Sequence, residues 1–311
     1  MWVLSRPQGP GFRNNGPSKA SQPSRIRGVD MSVLLVGYDV ESFAIGEGLA
    51  RIGDHGFREA TEPASTATAL DIIRRNHERY DLPATLFVCG RTLVHSVDVF
   101  KPFVDHHLFD IQQHTYSHTL FKEDHWKGGT FIASSREAIE FEIQITSEAF
   151  KKFLGVEVIG LRTPHGYYQG LTDKPEMLGI LSDAGIRYVS SWARNAEGGN
   201  PTPMTVQPFW YADQGYPDLL EIPFQHWLDA VWFEANGREL GREFGEVLKS
   251  GVDEAIGEDQ IYGACFHDWT MLRYREEETG WVSAMLSHAK ASAIEVLSYS
   301  AYYNRMCSAV G

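Results

Sequence analysis

Two patterns alternate along this chain. Short apolar runs occur at 32–38, 84–89, 109–113, 156–161, 186–190, 219–222, 260–266 and 293–297. Runs of this length, rich in β-formers, read as strands buried on both faces. Between them, apolar residues recur every three or four positions, the period of a helix with one buried stripe. Leu70, Ile73, His77 and Tyr80 make one stripe, and Ser134 with Glu137 forms a capping box ahead of Ile139, Ile143, Thr146 and Phe150. Met177, Leu178 and Leu181 predict a short helix that Gly185 terminates. Leu240, Phe244, Val247, Leu248, Val252 and Ile256 mark another face, and further helices are expected near 282–289 and at the end of the chain. Residues 194–216 are rich in Gly, Pro and Asn, with Trp210 and Tyr211 embedded, and read as a long loop on the functional side.

Repeated strand–helix alternation implies parallel strands with helices outside. Seven or eight units predict an α/β fold, a distorted (β/α) barrel forming one domain over 31–311. Residues 1–30 differ from the rest. Arg6, Arg13, Lys19, Arg25 and Arg27 face only Asp30 amid Pro, Gly, Ser and Asn, so a disordered basic tail without catalytic role is expected. The apolar start, Met1 to Leu4, is too short for the core of a secretory signal, and folding is expected to begin near Met31.

Composition acts mainly by exclusion. A formal charge of −13 over 311 residues argues against a non-specific nucleic-acid binder and against docking on anionic membranes. No run approaches the apolar length of a membrane span. Cys89, Cys265 and Cys307 are odd in number and widely spaced, which predicts reduced thiols and a cytoplasmic protein. A homo-oligomer is compatible with an acidic barrel of this kind.

In a parallel barrel, chemistry gathers where strands end at their carboxyl termini. Those ends carry Asp39 and Glu41, His114 and His118, Arg162 with Pro164, Trp192, Pro223, and His267 with Asp268. His114 and His118, at i and i+4, can turn both imidazoles to one metal ion. Such a pair alone is weak: with 12 His in 311 residues, chance supplies about one in every two chains. Its company gives it weight, because carboxylates, imidazoles and an arginine converging on one rim are the parts of a hydrolytic metal site.

Taken in order, these residues resemble the motifs of the polysaccharide deacetylase superfamily (carbohydrate esterase family 4, the NodB-homology domain), over roughly 32–300. Tyr38-Asp39-Val40-Glu41 corresponds to the aspartate-containing first motif. His114-Thr115-Tyr116-Ser117-His118 matches the second, H-[ST]-x-x-H. Arg162-Thr163-Pro164, with Gly166 behind, matches the third, Ser190-Ser191-Trp192 partly meets the fourth, and Ala264-Cys265-Phe266-His267 meets the fifth. Three departures stand out. The acid pair is D-x-E rather than adjacent aspartates. A serine stands where the fourth motif often has aspartate, leaving Asp268 or a loop acid to partner His267. His165 follows Pro164 where tyrosine is common.

The resemblance implies one divalent metal ion held by Glu41, His114 and His118, zinc first, with cobalt, manganese or iron compatible with mixed nitrogen and oxygen ligands. It implies Asp39 as general base, His267 as the acid that protonates the departing nitrogen, and Arg162 paired with an acid of the site. Pro164, Trp192, Trp210 and Tyr211 are the candidate substrate contacts, although aromatics at a barrel mouth equally serve packing. The expected activity is metal-dependent hydrolysis of a non-peptide amide, foremost N-deacetylation of an acetylated amino sugar or saccharide. The alternatives are a small-molecule ureide or cyclic-imide hydrolase of the same superfamily, or a non-catalytic metal- or carbohydrate-binding relative.

Overall fold

The computed structural model of this chain describes residues 32–41, 63–126 and 129–310. The expected basic tail, the start near Met31 and most of the Gly-rich stretch after the first strand lie outside them. In chain order the strands are β1 (Val33–Val40), β2 (Ala84–Val88), β3 (Phe109–Gln113), β4 (Asp124–Trp126), β5 (Gly129–Phe131), β6 (Gly160–Tyr167), β7 (Tyr188–Trp192), β8 (Phe209–Tyr211), β9 (Tyr216–Glu221), β10 (Ile261–His267) and β11 (Glu295–Leu297). The longer helices are α1 (Pro63–Tyr80), α2 (Gly90–His95), α3 (Arg136–Leu154), α4 (Pro175–Asp183), α5 (Asp229–Asn236), α6 (Gly241–Glu258), α7 (Asp268–Arg273), α8 (Trp281–Ser292) and α9 (Tyr299–Val310).

Parallel pairing runs β10-β1-β2-β3-β6-β7-β9. The pleat then sorts the side chains. On β1, Leu34, Val36 and Tyr38 pack outward against residues of α1, α6 and α8, while Val33 and Leu35 join an inner cluster with Phe87, Tyr188, Ile261 and Tyr299 of α9. Asp39 falls on the inner side by the same alternation. On β10, Tyr262, Ala264 and Phe266 belong to the outer cluster, which turns Cys265 and His267 inward. The register sets Asp39 beside His267 and Gly37 beside Cys265.

Two gaps in the wall are bridged by side-chain amides. β3 and β6 share a single register pair, Gln113 with Leu161, and there Gln112 Oε1 accepts the amides of Ile159 and Gly160 at 3.0 and 2.7 Å. Where β9 and β10 part, the backbone N–H of Gln225 donates to Gly263 O at 3.0 Å, and its side-chain Oε1 accepts Gly263 N at 2.6 Å. Gln207 likewise exchanges two bonds with the backbone of Ile261. A carboxamide offers the same donor and acceptor as a peptide group, so it substitutes for absent strand. The result is a distorted (β/α) barrel with parallel walls.

Several local expectations shift. The cap of α3 is Ser135, whose side chain accepts from Ala138 N, rather than Ser134, and Gly155 ends the helix at φ 69°. β6 begins later than the apolar run suggested, so Arg162 and Pro164 lie within it. The 194–216 segment contains β8, which pairs antiparallel with β9. The hairpin β4–β5 is an addition that polar triplets such as Asp124-His125-Trp126 do not announce. Among the described residues, no helix is long and apolar enough to cross a membrane.

Candidate active site

Strands β1, β3, β6 and β10 bring six of the expected residues together: Asp39, Glu41, His114, His118, Arg162 and His267. Glu41 is the hub. Its Oε1 lies 3.1 Å from His118 Nε2, 3.3 Å from His114 Nε2 and 3.7 Å from His267 Nε2. Glu41, His114 and His118 form one group able to hold a metal ion, and Asp39, Glu41 and His267 form an overlapping one. Glu41 is buried, with Trp269 Nε1 donating to its Oε2 at 3.0 Å and its own amide donating to Asp268 Oδ1 at 3.1 Å. Burial opposes its charge, but the imidazoles of His118 and His267 and the bonds from His114 and His118 hold the carboxyl well below its usual range. Burial in turn pushes His118 down, partly offset by Glu41.

The tautomers bear on the metal question. His114 Nδ1 sits 2.8 Å from Arg162 O, an acceptor only, so Nδ1 carries the proton and the neutral ring presents a lone pair at Nε2. That lone pair faces a carboxylate oxygen at 3.3 Å. Two acceptors this close require a cation between them, a proton or a metal ion. The ring's bond to a backbone carbonyl is also the usual support of a ligating histidine. Glu41, His114 and His118 therefore fit a divalent ion.

On one side stands Arg162, fully buried in the barrel interior. Its Nη1 donates to Asp39 Oδ1 at 2.9 Å, Nη2 to Tyr299 OH at 2.6 Å and Nε to Ser190 Oγ at 3.3 Å. The rings of Phe87, Phe224 and Tyr299 lie 4.2, 4.8 and 5.0 Å from its guanidinium carbon. Gly37 makes room for this, since a Cβ there would stand 2.6 Å from Nη2. Asp39 is thus aimed by an arginine whose charge it balances. Cys265 Sγ is 3.5 Å from its other oxygen.

On the other side is His267. Its Nδ1 lies 2.7 Å from Asp229 Oδ1, and Asp229 Oδ2 accepts His267 N and Thr270 Oγ1. Asp268 is therefore not the partner; it caps the Glu41 amide, and an acid opening α5 takes the imidazole. Ser190, at the serine-bearing fourth motif, serves Arg162 instead. Burial lowers the affinity of His267 for a proton, but Asp229 and Glu41 overcome it and push its pKa up to about 10.

The candidate substrate contacts divide. Pro164 lies in the irregular stretch of β6, where register with β7 shifts between Arg162 and Tyr167. Trp192 ends β7 with its ring between Tyr168 and Phe209 and its Nε1 donating to Arg194 O. Trp210 and Tyr211 do not join the cluster. Antiparallel pairing on the outer edge turns Trp210 toward Tyr303 of α9, and buries Tyr211, which donates to Glu221 Oε2 at 2.6 Å. His165, in the left-handed region at φ 59°, sets its ring 5.7 Å from that of His118. Its Nδ1 lies 2.6 Å from Asp124 Oδ2, which also accepts Arg194 Nη2 at 2.8 Å, so the β4–β5 hairpin is pinned beside the site. Asp229, Trp269, Tyr299 and Asp124 carry no local sequence signal for these roles.

A family model described as polysaccharide deacetylase matches residues 54–189. No curated protein matches the chain. Among solved structures, the chain is similar to a protein described as a polysaccharide deacetylase from Mycobacterium smegmatis, at 14% identity and TM-score 0.65, covering 94% of this chain and 95% of that one. It is similar to the allantoinase PuuE at 14% identity and TM-score 0.66, covering 91% and 93%. A protein described as a polysaccharide deacetylase from Pseudomonas aeruginosa PAO1 follows at 14% identity and TM-score 0.63, covering 89% and 91%. At such identities the structural likeness speaks for the fold. The family match over this part of the chain and the five motifs in order support the chain's resemblance to the polysaccharide deacetylase superfamily. Its class is that of hydrolases acting on carbon–nitrogen bonds other than peptide bonds.

Proposed function

We propose that this chain hydrolyses an amide with the help of one divalent cation held by Glu41, His114 and His118. Zinc is the first choice, with cobalt, manganese or iron as alternatives. The observation that carries the reading is His114 Nε2 facing Glu41 Oε1 at 3.3 Å, with His118 Nε2 closing on the same oxygen at 3.1 Å. A bound cation would supply Lewis acidity toward the amide carbonyl and toward water.

The chain's own residues do the proton work. Asp39, paired with and oriented by Arg162, accepts a proton from the attacking water. His267, cationic against Asp229, presents Nε2 to the site and returns a proton to the leaving nitrogen, which departs poorly as an anion. Water adds to the carbonyl carbon, the C–N bond breaks, and a carboxylate and an amine result. Pro164 and Trp192 stay with the substrate side.

The foremost substrate is an acetylated amino sugar. A second reading, a small ureide or cyclic imide, is favoured by how recessed the cluster is. The Asp39, Glu41 and His114 side chains are only 6%, 4% and 1% exposed, and the pinned hairpin lies alongside. The test is metal content per chain by elemental analysis on wild type and His114→Ala, followed by turnover of acetylated amino sugars and cyclic imides with metal removed and restored. About one equivalent in wild type, lost in the variant, is expected. A wild type without metal that still turns over an amide would overturn the metal-dependent reading.

A further inference from the structure

Helix α3 carries a carboxylate that the reaction does not use. Glu142 Oε2 accepts the amides of Tyr116 and Ser117 at 2.9 and 2.7 Å, and Oε1 accepts Ser117 Oγ at 2.6 Å. All three donors lie in the loop between His114 and His118. This loop is conformationally expensive, because Thr115 and His118 sit in the left-handed region at φ 59° and 62°, and Thr115 is β-branched. Its carbonyls are held from the opposite side, Thr115 O by Gly90 N at 2.8 Å and Tyr116 O by Arg91 N at 2.9 Å. Thr115 Oγ1 accepts Thr119 N at 3.1 Å. The loop is thus gripped by α2 through its carbonyls and by Glu142 through its amides.

We propose that Glu142 is a positioning residue for the metal-holding pair, fixing His118 relative to His114 through the loop between them. The inference rests on the metal reading above. Adjacent carbonyls and amides of a tight loop point in opposite directions, so holding only one set leaves the peptide planes free to rotate. With Glu142 in place, both sets are held and the two Nε2 atoms converge on Glu41 Oε1. Without it, His118 loses the orientation that its strained φ supplies only while the loop is clamped.

The experiment uses the full chain as wild type, Glu142→Ala, Glu142→Gln and, as a control on an exposed neighbour in the same helix, Glu140→Ala. Zinc affinity is measured by competition with a chromophoric chelator, and amide hydrogen exchange of the 114–119 segment is followed without metal. Glu142→Ala should weaken zinc binding about 10–100-fold, the usual effect of removing an outer support of a ligand. Glu142→Gln, which keeps an acceptor oxygen, should recover part of that loss, and Glu140→Ala should match wild type. Exchange at Tyr116 and Ser117 should quicken in Glu142→Ala while α3 stays protected. Wild-type affinity in Glu142→Ala, or an equal loss in Glu140→Ala, would overturn the proposal. If Glu142→Ala does not fold, Glu142→Gln decides by the same two readouts. If wild type binds no zinc, the metal reading falls, and unchanged exchange at Tyr116 and Ser117 would overturn the clamp separately.

Discussion

His267, at the carboxyl end of β10, and His77, on α1 behind the outer face of β1, are both enclosed by protein, yet their protons behave in opposite ways. His267 has Asp229 at Nδ1 and Glu41 before Nε2, and is pushed up to about 10. His77 donates from Nδ1 to Leu82 O and accepts at Nε2 from Tyr38 OH, two uncharged partners, and burial drives it down to about 4. Desolvation disfavours the cation at both. What differs is a carboxylate in contact with the ring, and His267 has one on the side where the proposed reaction delivers a proton. The outer histidine is a packing element with satisfied nitrogens; the inner one, held against Asp229, is the acid of the proposed reaction.

Asp229→Asn should break this contrast most severely. The amide keeps the shape but not the charge, so His267 should lose its high proton affinity and turnover should fall about 10²–10⁴-fold, the range of a lost general acid. Metal content should not change, and an NMR titration of His267 together with kcat would check both. An Asp229→Asn protein with wild-type kcat would remove His267 from the acid role.

At His77 the sign runs the other way. Its pKa is depressed from 6.5 to about 4, so its contribution to stability is complete above pH 6.5 and is lost as pH falls toward 4. That amounts to about 3 kcal/mol. Glu276, whose carboxyl burial raises to about 7, acts oppositely, contributing most below pH 4.5 and losing its contribution as pH rises through 7. Urea unfolding of wild type and His77→Gln across pH 4 to 7 isolates the histidine: the gap between the two curves should shrink as the pH falls. A smaller effect is expected from Tyr38→Phe. It leaves the buried His77 Nε2 without a donor and should cost about 1–2 kcal/mol at neutral pH, with activity retained by the folded protein.

Legibility in the sequence followed the same divide between local and distant support. Asp39 and His267 stand at the ends of apolar runs, and His114, His118, Arg162 and Pro164 sit in contiguous strings, so periodicity and spacing reveal them. Asp229 opens a short helix in a stretch without strong pattern, and the His267 it serves is 38 residues away. Trp269 reaches Glu41 across 228 residues. No local rule points to such contacts; only the closing of the barrel makes them. Trp210 and Tyr211 show the converse error. Phe209–Tyr211 is three residues long, too short to stand out as a strand amid Gly and Pro, and its pairing to the outer edge of β9 carries both aromatics away from the cluster.

The glutamine-bridged seam has a mechanical consequence. Gln225 grips Gly263 four positions before Asp229 on one arm and four before His267 on the other. The two arms are therefore laced at equal distances below the acid pair, as the slider of a zip lies below its open teeth. Slack introduced at that lacing would be shared by both arms and reach the point where Asp229 meets His267, so the alignment of the proposed proton donor is tied to a residue four positions below each of them.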